Sequence, residues 1–86
     1  MVKGKTLAEP GLLRLSAAAR AAGVSRQTIE YYIMIGLISP LRPPGRHGRF
    51  FDEGLIRRIR LIRRWNRSGY TLAEIRRAVL RREAPG

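Results

Sequence analysis

The chain has 86 residues, 18 of them Lys or Arg and 6 Asp or Glu, which gives a formal charge of +12 with 44% of residues hydrophobic. This balance excludes a disordered basic tail and predicts one small folded domain whose partner is a polyanion, with nucleic acid first because 16 of the cations are arginines. The sequence has no Cys, no membrane-length apolar run and no spaced acid/base or metal-ligand set. We therefore expect a soluble cytoplasmic protein that is not an enzyme and holds no cofactor or metal.

A short helix is predicted near the start of the chain. Residues 1–12 and 83–86 are predicted to be a flexible basic arm and a flexible tail around one domain over 13–82. Apolar residues recur at helical spacing from Leu15, with Ser16 expected as the cap and Gly23 as the stop. The inward face consists of Leu15, Ala18, Ala19 and Ala22. Its small side chains allow another backbone to approach closely.

A second helix is predicted directly after the first. Ser25 is its expected cap, and it should run over about 26–35 and end at Gly36. Helical spacing directs Ile29 and Tyr32 inward. The result is a helix, a three-residue turn and a helix whose polar start suits the major groove of DNA. The residues available to read bases or touch phosphates there are Arg26, Gln27, Thr28 and Tyr31.

A loop rich in proline, glycine and arginine follows. Its composition over 39–49 excludes a helix and predicts a loop between two short strands, with Phe50 and Phe51 in the returning strand. Such a loop would form a wing over Pro43 to Arg49 that contacts the minor groove or flanking phosphates. Its candidate contacts are Arg46, His47 and Arg49.

Two further helices complete the predicted domain. Asp52 is the expected cap of the third, which should end before Gly69, and Thr71 with Glu74 forms a capping box for a fourth that runs to about Arg82. The inward faces are predicted to be Leu55, Ile59, Ile62 and Trp65 in the third helix and Leu72, Ile75 and Val79 in the fourth. The side chains expected to serve the core rather than stack on bases are Trp65, Tyr70, Phe51 and Leu72.

Arginines dominate the opposite side of the third helix. Five of them fall within an arc of about 120° on the helical wheel. They are Arg57, Arg60, Arg63, Arg64 and Arg67. Because few acids are near them, this face is predicted to contact phosphates rather than to be a merely solvated surface.

Four motifs follow one another in order along the chain. They are Ala19 with Ala22-Gly23-Val24-Ser25, Thr28-Ile29-x-Tyr31-Tyr32 with Gly36-Leu37-Ile38-x-Pro40, Gly48-Arg49-Phe50-Phe51-Asp52, and Gly69-Tyr70-Thr71-Leu72-Ala73-Glu74-Ile75. Over about residues 13–80 the chain thereby resembles the amino-terminal winged helix-turn-helix domain of the MerR-like transcription regulators. The resemblance implies that the second helix enters the major groove and that residues 45–49 form the first wing. It also implies that Arg63, Arg64, Arg67 and Tyr70 lie near the phosphate contacts of the second wing.

The sequence thus predicts a mainly α fold, a winged helix-turn-helix of about four helices with a short β-hairpin wing. The predicted function is sequence-specific binding of double-stranded DNA in transcription regulation, in the cytoplasm and on the nucleoid. The predicted DNA-binding residues are Ser25, Arg26, Gln27, Thr28, Tyr31, Tyr32, Arg42, Arg46, His47, Arg49, Arg63, Arg64, Arg67 and Tyr70. Two alternatives stay open, namely an excisionase-like recombination accessory or DNA-bending architectural protein, and an RNA-binding module.

The chain departs from the family pattern at Glu30, where the family usually carries an Arg beside the tyrosine pair. An acid there repels phosphate, so the usual target sequence cannot be assumed. Glu30 either accepts from a cytosine amino group or pairs with Arg26 at i, i+4 spacing, and we expect the pairing.

Two more departures concern association. Ile33 and Met34 stand where the family tends to place charge. They predict either self-association on DNA or, in the case of Ile33, packing beneath the wing. The sequence ends at Gly86 without the long dimerisation helix or effector domain of family members. We therefore expect no small-molecule sensing. The chain is expected to be either a truncated domain or a self-sufficient one that binds DNA as a monomer or in cooperative rows.

Overall fold

The computed structural model describes residues 11–83, so residues 1–10 of the predicted arm and 84–86 of the predicted tail lie outside the described residues. The described part contains four α-helices: α1 (Leu15–Ala22), α2 (Arg26–Met34), α3 (Glu53–Arg67) and α4 (Leu72–Glu83). α1 packs against α2 and α3, and α3 packs against α4. The predicted mainly helical fold with about four helices is confirmed. No helix of this part is long and apolar enough to cross a membrane.

The turn between α1 and α2 has the predicted form. Gly23 adopts a left-handed backbone conformation, with φ at 74°, and its N–H donates to the carbonyl of Ala19 at 2.9 Å. Ser25 then caps α2, because its Oγ accepts from the N–H of Thr28 at 3.0 Å. Three residues thus separate the helices and fix the direction in which α2 leaves the turn.

The predicted cap of α1 is wrong. Arg14, rather than Ser16, occupies the cap position, and its side chain makes no capping hydrogen bond. The preceding residue explains the shift: Leu13 and Phe51 exchange two backbone hydrogen bonds, of 2.9 and 2.8 Å. This bridge holds the chain extended up to Arg14, whose carbonyl accepts from Ala18 at 2.8 Å, so the helix begins one residue before Ser16.

The core lies where the four helices meet and contains most of the predicted inward residues, but it also buries Ile56 of α3, which was not predicted to face inward. The fully buried large side chains are Phe50, Phe51, Ile29, Leu37, Ile59, Ile62 and Ile75. Leu55, Trp65, Leu72 and Val79 are partly buried and pack against this cluster. Tyr70 was predicted to belong to the core and does not, since it is 56% exposed and its ring lies beside that of Trp65 with 6.1 Å between the centroids.

The capping predictions for the last two helices are confirmed. Asp52 Oδ1 accepts from the N–H of Leu55 at 2.9 Å and caps α3. Thr71 and Glu74 form the capping box of α4, with reciprocal hydrogen bonds of 2.8 and 3.0 Å. The hydrogen bond from the Thr71 N–H, helped by the Thr71 side chain, favours the carboxylate form of Glu74 and lowers its pKa.

The predicted β-hairpin wing is not formed by strands. Within residues 11–83, Leu41 pairs with Phe50 and Leu13 pairs with Phe51, each as an isolated antiparallel bridge. The next ladder position on the loop side would fall at Pro43, which has no N–H to donate. Residues 42–49, the wing loop from here on, are therefore an irregular loop closed at its base by one bridge.

Replacing Gly23 with Ala is expected to lower the free energy of unfolding by about 1 kcal/mol, because an L side chain is strained in the left-handed region. Space is not the cause, since the nearest atom to an added Cβ is Arg63 Nη1 at 3.9 Å. Urea unfolding followed by circular dichroism measures the change. Gly54→Ala is the matched control: this residue lies in α3 without a positive φ, and Ala there should stabilise the fold. Equal effects of the two substitutions would contradict the strain argument.

Candidate nucleic-acid interface

The start of α2 presents polar side chains to solvent. Arg26 and Gln27 are exposed in the first turn, and Tyr31 is 46% exposed one turn later. Ser25 and Thr28 are tied to each other, with 2.9 Å between their hydroxyl oxygens, in addition to the capping hydrogen bond. The helix end is therefore ordered by its own cap while its outer side chains stay available to a ligand.

An open groove of about 530 Å³ lies between this helix end and the end of α3. Its lining residues are Ser25, Gln27, Thr28, Tyr31, Tyr32, Arg63, Asn66, Arg67 and Leu72. The structure thus brings many of the predicted residues of α2 and α3 together along one depression. Asn66 was missed from the sequence; its Nδ2 donates to the carbonyl of Tyr70 at 2.8 Å and holds the chain after α3 against the groove. Its position between Arg63 and Arg67 on α3 is a local signal that could have found it.

Tyr32 differs from the other predicted contacts because it is buried. Only 4% of it is exposed, and burial raises the pKa of its hydroxyl, an effect that the nearby charge of Arg63 partly opposes. Its ring fills the core at the floor of the groove. Tyr31 is the member of the tyrosine pair that a ligand can reach.

Two arginines of α3 close the end of α1. Arg60 Nη2 donates to the carbonyl of Ala21 at 2.6 Å, and Arg63 Nη1 donates to that of Gly23 at 2.9 Å. Carbonyls at a helix C-terminus lack partners in the helix and carry partial negative charge, so a guanidinium satisfies both needs. The predicted phosphate-contacting face is therefore partly a structural one.

The end of α3 carries the two arginines of the predicted face, Arg64 and Arg67, that neither donate to a helix-end carbonyl nor pair with Glu53. Arg64 and Arg67 line a second open depression with Arg60 and Arg63, and their side chains make no hydrogen bond or ion pair with the rest of residues 11–83. Arg57, at the other end of the helix, has its Nη1 3.9 Å from Glu53 Oε1 in an exposed pair. Among the five arginines predicted on this face of α3, the two without such a contact therefore lie at the end of the helix beside the groove.

A third arginine closes the end of α2. Arg76 of α4 donates from Nε to the carbonyl of Ile35 at 2.8 Å. Arg76 was not among the residues predicted to belong to the site. Because the two residues are 41 positions apart, no local pattern indicates the contact.

The wing loop is tied to α2 by an ion pair that the sequence assigned wrongly. Arg49 Nη1 and Nη2 donate to Glu30 Oε1 and Oε2 at 2.7 and 2.9 Å, so Arg26 is not the partner of Glu30. The hydrogen bonds from Arg49 lower the pKa of Glu30. Arg26 lowers it further only through the attraction of its charge, without a hydrogen bond. The same bonds raise the pKa of Arg49. Two parallel hydrogen bonds from a guanidinium outweigh a single i, i+4 contact on an exposed helix.

A second contact holds the base of the wing loop. The guanidinium carbons of Arg14 and Arg46 each lie 4.5 Å from the ring centroid of Phe50, and Arg14 Nη1 reaches the carbonyl of His47 at 3.4 Å. A Cβ at Gly48 would come within 2.8 Å of Arg14 Nη1, and φ at this glycine is 100°. Arg14 was not predicted as part of the site. The predicted contacts Arg42, Arg46 and His47 are exposed.

The two apolar residues at the end of α2 behave differently. Ile33 is partly buried and packs against the core, whereas Met34 is 72% exposed. Self-association on DNA through this pair stays a prediction, and it rests on Met34.

The chemistry that these residues offer is hydrogen-bond donation and positive charge. No group of three or more His, Asp or Glu side chains that could hold a metal occurs among residues 11–83. Guanidinium, amide and hydroxyl groups in a groove between two helices suit phosphate oxygens and base edges.

Residues 13–81 match the family described as MerR HTH family regulatory protein. The chain is similar to the HTH-type transcriptional regulator CueR of Bacillus subtilis (strain 168), with 32% identity over 63 residues that cover 73% of this chain and 43% of that protein. It is 31% identical to the HTH-type transcriptional regulator HmrR of Sinorhizobium medicae (strain WSM419), over 74% of this chain and 44% of the relative. It is 32% identical to the mercuric resistance operon regulatory protein of Bacillus cereus, over 72% of this chain and 47% of that relative. The chain spans less than half the length of these curated relatives.

The two roles of the α3 arginines can be separated without any ligand. Arg63→Gln is expected to lower the free energy of unfolding by about 1 kcal/mol, because the carbonyl of Gly23 loses its charged donor. Arg67→Gln removes the same charge and should change the free energy of unfolding by no more than about 0.5 kcal/mol. Urea unfolding of both variants measures the difference, and an equal loss in the two would refute the capping role of Arg63.

Proposed function

The chain belongs to the MerR HTH family of regulatory proteins, and we propose that it binds double-stranded DNA sequence-specifically as part of a transcription regulator. α2 enters the major groove, while the wing loop and the end of α3 contact phosphates. One observation carries the proposal: the polar start of α2 and the arginines at the end of α3 line the same open groove. The formal charge of +12 on the chain also favours a polyanionic ligand.

Base reading is assigned to the first turn of α2. Gln27 pairs in two hydrogen bonds with adenine and Arg26 with guanine, the pairings that their side-chain geometry favours. Both are exposed, and the helix end that carries them is held by the Ser25 cap. Thr28 and Tyr31 donate to phosphates flanking these bases.

Phosphate contacts are assigned to the two sides of α2. Arg64, Arg67 and the exposed Tyr70 contact one backbone segment, and the exposed Arg42, Arg46 and His47 of the wing loop contact another. Arg63 adds to this set with the donors that remain after its hydrogen bond to Gly23. Together these contacts supply affinity without base preference.

If six to eight phosphates are contacted, the affinity for duplex DNA should fall by at least roughly 10³-fold between about 50 and about 200 mM salt. Arg67→Gln should reduce the slope of log affinity against log salt by about 1, whereas Arg81→Gln, at the far end of α4, should leave it unchanged. Fluorescence anisotropy at several salt concentrations measures the slopes. A slope near zero for the wild-type chain would contradict the proposal.

Selection from a random duplex library tests base reading directly. The wild-type chain should enrich one motif, and Gln27→Ala should relax that motif at one adenine at a cost of about 1–3 kcal/mol in discrimination. Arg67→Gln is the matched control, because losing a phosphate contact weakens all sequences alike. Binding that enriches no motif would favour the excisionase-like or architectural role, and stronger competition by RNA than by DNA would favour RNA binding.

A further inference from the structure

The ion pair between Glu30 and Arg49 joins the two elements that are proposed to meet DNA. Glu30 lies on the exposed face of α2, one turn after Gln27, and its side chain is 47% exposed. Arg49 is the last residue of the wing loop and is 30% exposed. An acid at this place opposes phosphate binding by its charge alone. Its position beside side chains proposed to read bases therefore calls for a compensating contact.

The hydrogen bonds leave Arg49 able to bind a second anion. A guanidinium has five N–H donors, and the two bonds to Glu30 use one on each terminal nitrogen. Three donors therefore remain on the edges that face away from the carboxylate. Arg49 can hold Glu30 and donate to a phosphate at the same time, with its fork held in one orientation.

Besides the contacts of Arg14 and Arg46 with Phe50, the wing loop has few backbone hydrogen bonds of its own. One bridge, between Leu41 and Phe50, closes its base, and inside it the N–H of Arg46 reaches the carbonyl of Pro43 at 3.3 Å. The two bonds from Arg49 fix the end of this loop to α2. Fixing it in advance reduces the entropy that is lost when the loop and the helix bind DNA together.

We propose that Glu30 is a positioning residue for DNA binding: it holds Arg49 so that the wing loop and α2 present one preformed surface to the DNA backbone. The inference rests on the proposed function. It predicts the opposite sign from simple electrostatics, because removing this acid should weaken binding to a polyanion.

Duplex affinity of charge-matched variants tests the proposal. Glu30→Gln should weaken binding by about tenfold, whereas Glu53→Gln, which removes the same charge from a more exposed side chain of α3, should leave binding unchanged or tighten it. In an Arg49→Gln background the sign should reverse, because Glu30 is then an acid without its partner and Glu30→Gln should tighten binding. Thermal unfolding without DNA checks that each variant is folded.

Amide hydrogen exchange provides a readout that needs no DNA. Exchange over residues 41–50 should become faster in Glu30→Gln and stay unchanged in Glu53→Gln. Should Glu30→Gln bind DNA as tightly as the wild type or more tightly, or should its wing loop exchange at the wild-type rate, the positioning role is overturned while the proposed function stands. A wild-type chain that binds no duplex would overturn the proposed function and this inference with it.

Discussion

The architecture depends on arginine side chains that satisfy the carbonyl ends of neighbouring helices. Arg60 and Arg63 reach from α3 to the end of α1, and Arg76 reaches from α4 to the end of α2. In a small domain with a thin apolar core, these bonds fix the helix-turn-helix to the two helices behind it. Between residues 11 and 83 no charged side chain is buried. The guanidinium groups therefore bind these carbonyls at the surface, where the free-energy cost of desolvating them is small.

The same helix that supports the turn supplies the charge proposed to bind DNA. Along α3, Arg60 and Arg63 donate to carbonyls at the end of α1, whereas Arg64 and Arg67, which line the same depression, make no such bond. Arg64 and Arg67 each lie one helical turn after an arginine that binds a helix-end carbonyl, and their own guanidinium groups are available to a phosphate. The position of α2 relative to this charge is set by the same contacts that hold the fold together.

Local chemistry made most of the fold predictable. Caps at Ser25 and Asp52 and the box of Thr71 with Glu74 act over three residues, and a sequence displays such spacings directly. The start of α1 was misplaced because a bridge to Phe51, far along the chain, decides it. The strands of the wing were overestimated because the prolines that indicate a loop also remove the donors of a ladder.

The candidate site was predictable in its composition and not in its pairing. The polar start of α2 and the arginines of α3 were identified from their positions on each helix, and the groove shows them side by side. Glu30 was paired with Arg26, four residues away, because spacing along one helix is visible in a sequence. Its partner Arg49 is 19 residues away, and that contact depends on how the wing loop folds back over α2.

The close approach of Arg14 to Gly48 has a consequence for protein engineering. A Cβ at position 48 would displace the flexible end of the Arg14 side chain, and with φ at 100° any L side chain there would also strain the backbone. A chimera that takes its loop from a relative would therefore keep this backbone conformation only with glycine at position 48, whatever residue stands at position 14. Libraries that diversify the loop should hold Gly48 fixed.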